Sequence, residues 1–173
     1  VFPLKNEKGE VVSLYGRSIL GNKKDGTGAH FYTADRKGLY PNYLPVETKK
    51  LILTESVIDA ATLLSIESIT NNYQILALYG TNGLTSEHSK VLLQLKQLEE
   101  VILFFDGDQG GLGANKKWGK YLSDLLEGVK ISVVETLEDE DINSLAQSHS
   151  SEIFMELLNQ RTSFLSTEKK TTP

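Results

Sequence analysis

Residues 101–114 read VILFFDGDQGGLGA, and no other stretch limits the possible fold as tightly. Five apolar residues, all of types that favour a buried strand, run straight into Asp106-Gly107-Asp108. A glycine-rich turn and then a helical pattern follow. An unbroken apolar run bounded by turn residues marks a strand covered on both faces, as in a parallel sheet. In such sheets ligands bind beyond the carboxyl ends of the strands, where Asp106 and Asp108 fall. Side chains two apart on an extended segment point the same way, so both carboxylates can face one ion. Oxygen-only ligands of this kind suit Mg²⁺ or Mn²⁺. The plainer alternative is that Asp-Gly makes a turn and the aspartate caps the next helix.

The chain around this strand alternates in type. Residues 51–53 form a short apolar strand ending at Thr54-Glu55, and 56–66 have a helical spread with Ser56 as a cap. Residues 75–79 are a strand ending in Gly80-Thr81-Asn82-Gly83, and 84–98 an amphipathic helix. A helix over 112–126 ends at Gly128. Residues 130–134 are a fourth strand, 137–141 an acidic loop, and 142–158 a last helix. Strands and helices in units of roughly 25–30 residues predict an α/β fold with about four parallel strands flanked by helices.

The front of the chain differs. Residues 1–5 and 11–20, the latter interrupted by Gly16, predict a hairpin, and 30–32 a third short strand. Residues 21–28 form a loop. Lys37-Gly38-Leu39-Tyr40-Pro41 lies in a turn-rich connector. The expected layout is a small β-rich subdomain over 1–46, the α/β domain over 47–160, and a disordered Ser/Thr/Lys-rich tail over 161–173.

Charge follows this division. Residues 1–50 hold nine Lys/Arg against five Asp/Glu, and residues 51–173 hold nine against eighteen. A basic strip beside an acidic cleft fits nucleic acid next to a metal site, although ordinary surface variation gives similar imbalances. There are no cysteines, so the chain holds neither a disulfide nor a thiolate zinc site. No apolar run approaches the ~20 residues that cross a bilayer, and the N-terminus lacks a signal-peptide layout. A cytoplasmic protein without membrane contact is expected. The strand-like first residues suggest a fragment of something longer.

Three strands end in acid at the same face: Glu55 after the first, Asp106 and Asp108 after the third, and Glu135 with Glu138, Asp139, Glu140 and Asp141 after the fourth. Carboxylates gathered this way repel one another unless a cation sits among them. That recurrence favours a metal centre over scattered surface acids.

The ordered set LILTE, then VILFFDGD, resembles the TOPRIM domain shared by bacterial primases, type IA and type II topoisomerases and some nucleases. The bacterial-type primase branch is closest. Glu55-Ser56-Val57-Ile58-Asp59-Ala60 is similar to its Glu-Gly-x-x-Asp segment, Tyr79-Gly80-Thr81 to its Leu-Gly-Thr turn, and residues 106–114 to its Asp-Gly-Asp-x-Ala-Gly-x-x-Ala. Phe2-Pro3-Leu4, Gly9, Gly16-Arg17 and Lys37-Gly38-Leu39-Tyr40 resemble the basic subdomain ahead of it. The resemblance spans residues 1–146. Departures are Ser56 in place of the usual glycine, Asp141-Ile142-Asn143 in place of Asp-Pro-Asp, and Lys117 where an arginine is expected.

The resemblance implies the catalytic core of a DNA primase, a nucleotidyltransferase making RNA primers from NTPs on single-stranded DNA. It implies Mg²⁺ or Mn²⁺ held by Glu55, Asp106, Asp108 and Asp141, with the first three catalytic. Asp59 and Asn143 would support them from behind, or Asp59 would simply pair with a lysine. Arg17 and Lys37 would touch template phosphates, or be solvated charges. Gly80 and Thr81 would offer amides to a phosphate, or make a tight turn. His30 near Tyr32 and Trp118 read as packing. A replicative helicase would bind through regions outside this chain. A TOPRIM nuclease and a non-catalytic, metal-dependent nucleic-acid-binding module are the alternatives; the basic front favours the primase.

Overall fold

The computed structural model describes residues 1–18, 30–33 and 36–165. The expected loop 21–28 and the last residues of the expected strand 11–20 lie outside the described residues. The chain forms two compact units, Val1–Tyr43 and Leu44–Pro173.

The first unit is a three-stranded antiparallel sheet of β1 (Phe2–Lys5), β2 (Val11–Arg17) and β3 (His30–Tyr32), in that order. Asn6 closes the β1–β2 turn by accepting the Lys8 and Glu10 N–H groups on its side-chain oxygen. Lys5 and Leu39 exchange backbone hydrogen bonds, so the 36–43 segment is tied beside β1. Alternation along β2 buries Ser13 and Tyr15 on one face. Tyr15 packs there between Phe2 and Tyr32.

Among the described residues the second unit holds eleven further elements: β4 (Lys50–Thr54), α1 (Val57–Leu64), α2 (Glu67–Thr70), β5 (Gln74–Ala77), α3 (Ser86–Gln94), β6 (Glu100–Phe104), α4 (Gln109–Leu125), β7 (Lys130–Val133), α5 (Ile142–Ser148), α6 (Glu152–Gln160) and β8 (Thr162–Ser163). Its sheet runs β5-β4-β6-β7-β8. The first four strands are parallel, with Ile52 beside Ile102 and Leu103 beside Val133; β8 runs antiparallel along β7. All five residues of β6 are buried, because helices cover both faces of a central parallel strand. The expected α/β fold with a parallel sheet and a β-rich front unit is what the structure has. Leu103 is fully buried. Leu103→Ala is therefore expected to cost roughly 2–5 kcal/mol by leaving a cavity, read as a lower denaturation midpoint at unchanged slope.

Three expectations need correction. The helix expected over 142–158 is two helices, broken at His149, which is extended. The tail does not begin at 161: Arg161 is bonded to Glu100, Thr162–Ser163 is a strand, and Phe164 is 4% exposed. Residues 166–173 lie outside the described residues. Finally, α4 starts at Gln109, before the expected 112, since Asp108 caps it.

Glu100, at the amino end of β6, anchors that last segment. Its carboxylate accepts hydrogen bonds from Ser132 Oγ (2.6 Å) and from Arg161 Nε and Nη2 (2.9 and 2.8 Å), with Lys130 Nζ at 3.1 Å.

Candidate active site: an acid centre at the carboxyl ends of the strands

The acids sit where β4 and β6 end side by side. Thr54 is in register with Phe104, so the residues that follow each strand emerge together. On the β4 side, Glu55 leads into α1. Ser56 caps that helix by accepting the Asp59 N–H at 3.3 Å, and its hydroxyl donates to Asp59 Oδ2 at 2.5 Å. Asp59 is thereby held under the site at 4% exposure.

On the β6 side the chain must turn sharply. A Cβ on Gly111 would lie 2.0 Å from the Asp106 carbonyl oxygen, and one on Gly107 would lie 1.9 Å from that of Leu137. Only glycine fits either place. The Gly107 N–H donates to the Glu140 carbonyl at 2.8 Å, which lashes the acidic loop to the Asp-Gly-Asp turn.

Burial and mutual repulsion dominate the electrostatics. Burial, then the charges of Asp108 and Asp59, push the Glu55 carboxyl up to about 7, against a hydrogen bond from the Asp106 backbone N–H. Burial, then Asp59, Glu55, Asp141 and Asp108, push Asp106 up to about 8. Glu55 Oε2 and Asp106 Oδ1 are both buried without a hydrogen-bond partner. Buried oxygens in this state are costly, and a hard divalent cation is the group that relieves them. The donor set, all oxygen, fits Mg²⁺ or Mn²⁺.

Asp108 does what the plainer reading of the sequence allowed, and Asp141 makes a cap that the acidic-loop reading did not foresee. Asp108 Oδ1 accepts the Gly111 N–H at 2.8 Å and caps α4. Asp141 Oδ1 accepts the Ser144 N–H at 2.6 Å and caps α5 in a reciprocal box. Each cap occupies one oxygen of a carboxylate that has two. Among the described residues, no three acidic or histidine side chains form a ready cage for an ion. The four expected ligands are thus electrostatic neighbours rather than an assembled shell. Asn143 Oδ1 accepts from Thr62 Oγ1 at 3.4 Å and so ties α5 to α1.

Gly80 and Thr81 lie in a tight turn. The Gly80 N–H donates to the Glu55 carbonyl (2.9 Å) and that of Gly83 to Gly80 (2.8 Å). The Thr81 carbonyl receives Trp118 Nε1 at 2.8 Å. The next helix begins only after Thr85, whose hydroxyl sits 2.7 Å from His88 Nδ1. His88 is fully buried, with Nε2 3.0 Å from the Ala77 carbonyl, so it fastens α3 to β5. Arg17 and Lys37 are exposed residues of the first unit. Tyr32 there carries Arg36 over its ring at 4.3 Å. His30 packs on Tyr15, with Nδ1 2.8 Å from its hydroxyl.

A parallel α/β sheet with Glu after one strand and Asp-Gly-Asp after its neighbour defines a TOPRIM-type domain. A model described as Toprim-like matches residues 52–146, more than half of the chain, and the chain belongs to that family. A DNA primase of Borreliella burgdorferi is 29% identical over 167 residues, which are 93% of this chain and 30% of that protein. The Aquifex aeolicus primase (zinc-binding and RNA polymerase domains) superposes with a TM-score of 0.76 at 26% identity, covering 98% of this chain and 41% of that one. A DnaG primase catalytic domain bound to single-stranded DNA has a TM-score of 0.71 at 20% identity, covering 96% and 54%. The chain is thus a relative of DnaG-type primase catalytic cores and spans about a third of the Borreliella primase. Among the described residues no helix is long and apolar enough to cross a membrane.

Proposed function

We propose that this chain carries the nucleotidyl-transfer centre of a primase, joining NTPs into an RNA primer on a single-stranded DNA template. The observation that carries this is the pair of unpartnered, buried oxygens on Glu55 and Asp106, whose protons are held near neutral pH beside Asp108. Template use is argued from kinship with primases and from the fold shared with a primase domain bound to single-stranded DNA.

Glu55, Asp106 and the uncapped oxygens of Asp108 and Asp141 are the residues that would hold Mg²⁺ or Mn²⁺. When bound, such an ion activates the attacking 3′-hydroxyl and stabilises the leaving pyrophosphate. The chain's own part is to keep the acids close, with Asp59 and the Gly107–Glu140 bond fixing their backbones. Glu55, with a pKa of about 7, is also placed to accept a proton. Arg17 and Lys37 would contact template phosphates, and a helicase would dock outside this chain.

The test is NTP incorporation on single-stranded DNA with Mn²⁺ or Mg²⁺, for wild type and Asp108→Ala. Incorporation should fall at least ~100-fold in the variant, the scale of losing a group that stabilises transition-state charge. Its stability should drop by only about 1 kcal/mol, the worth of a helix cap. Strand cutting without incorporation would select the nuclease. Metal-dependent binding with neither activity would select the non-catalytic module.

A further inference from the structure

We propose that the hollow on the far side of the Asp-Gly-Asp turn binds a small organic cation with an apolar body, such as a protonated amino-heteroaromatic base. The cavity measures about 600 Å³ and opens between α4, the loop after β7 and the β8 segment. That size lies in the range that encloses drug-sized ligands. The proposed reaction uses none of its walls except the two aspartates it shares with the acid centre.

Three observations fix the ligand's chemistry. The inner wall is apolar and buried, made by Val133, Val134 and Phe164. Leu112 stands at the mouth, 55% exposed, an apolar side chain facing water for no structural gain. The exposed charges around the opening are Asp108, Glu135, Glu138 and Asp139 against the single Lys116. An excess of fixed negative charge repels phosphates and carboxylates and draws cations.

Asn115 adds a polar group. It lines the same cavity at 9% exposure, and its Oδ1 is buried with no partner. A buried amide oxygen left unsatisfied is destabilising. Asn115 is part of the wall, so the proposed ligand's N–H is the donor offered to that oxygen. A protonated amino-heteroaromatic ligand supplies both the charge for the rim and the N–H for Asn115, while its ring covers the apolar wall. A bare polyamine lacks the ring, and a neutral aromatic lacks the charge.

The experiment is a fluorescence titration of the full chain in Mg²⁺ buffer, without nucleic acid. The probe is 9-aminoacridine, cationic near neutral pH. Acridine (neutral, same ring system) and spermidine (cationic, no ring) are the comparisons. One site is expected, with both comparison compounds at least roughly tenfold weaker, and amide NMR shifts centred on residues 112–116 and 133–139. The Glu135→Gln/Glu138→Gln variant should weaken binding about fivefold, the scale of two exposed charge contacts. Both residues are exposed, so the fold is retained. Asn115→Leu, of similar volume, should weaken binding about tenfold, with its melting curve checked alongside. Acridine or spermidine binding as tightly as the probe overturns the proposal. So does an unchanged affinity in the charge variant, or shifts confined to residues 55 and 106. Binding is read without turnover, so it stands or falls separately from the primase reading.

Discussion

Asp106→Asn is expected to raise the melting temperature of the metal-free protein while abolishing primer synthesis. The two effects have one cause. In the free protein Asp106 is half-buried among Asp59, Glu55, Asp141 and Asp108, and its carboxyl is pushed up to about 8. A raised folded-state pKa means that the folded state binds more protons than the unfolded one. Stability is therefore present at low pH and is lost as pH rises, from the ordinary carboxylate value near 4 through about 7 for Glu55 and about 8 for Asp106. Above that window the folded protein carries the full repulsion.

Asparagine keeps the shape and removes the charge. After discounting for partial solvent screening and for the coupling of the two groups, the gain is on the order of 1–3 kcal/mol at pH 8. For a chain of this size that is roughly 3–8 °C. The same substitution removes one of the proposed anionic ligands, and incorporation should fall ~100-fold or more. Mg²⁺ should stabilise wild type more at pH 8 than at pH 5, and the variant little at either pH. A variant that melts lower than wild type at pH 8 without metal would mean that Asp106 is a satisfied structural acid, and the metal reading of the site would fail with it.

The features that were legible in the sequence share one property: they are local. Residues 101–105 announce a buried strand by composition alone, and the strand-then-acid order of Glu55 and Asp106 survives into the fold because parallel strands in register bring their ends together. Caps were half legible. Asp108 read either as a ligand or as a helix cap, whereas Asp141 read as a ligand or as part of an acidic loop; the structure shows both capping, with one oxygen left over. What the sequence hid depends on contacts far apart in the chain. β8 is two residues long and holds its place by pairing with β7, so the Ser/Thr/Lys-rich composition around it masked it. The start of α4 was placed late because Gly110 and Gly111 read as loop, while the close approach of Gly111 to Asp106 makes glycine obligatory inside the helix. Glu100 and Arg161 are 61 residues apart, and no periodicity connects them.

That last pair carries the second large effect. Glu100→Ala is expected to cost about 3–5 kcal/mol, the usual result of leaving one member of a buried ion pair without its partner. Burial alone would raise the Glu100 carboxyl, but hydrogen bonds from Arg161, Ser132 and Lys130 overcome it and bring the group down to about 2. Glu100 is 5% exposed, so solvent screens the interaction little. A depressed folded-state pKa contributes stability that is present above the unfolded value of 4.5 and is lost as pH falls towards about 2. The shift itself corresponds to roughly 3 kcal/mol. Trp118 is the chain's only tryptophan and lies buried in the same unit, so its fluorescence reports the transition. Wild type should lose most of this contribution between pH 4.5 and 2, while Glu100→Ala should show a flatter acid limb from a lower start. Glu100→Gln keeps the acceptor oxygen for Ser132 and should fall between the two. Arg161→Ala in the Glu100→Ala background should recover part of the loss, because the stranded guanidinium goes with it. If Glu100→Ala instead melts within 1 kcal/mol of wild type, the Arg161 contact is a surface pair in effect, and the β8 segment is held by Phe164 packing and strand pairing alone.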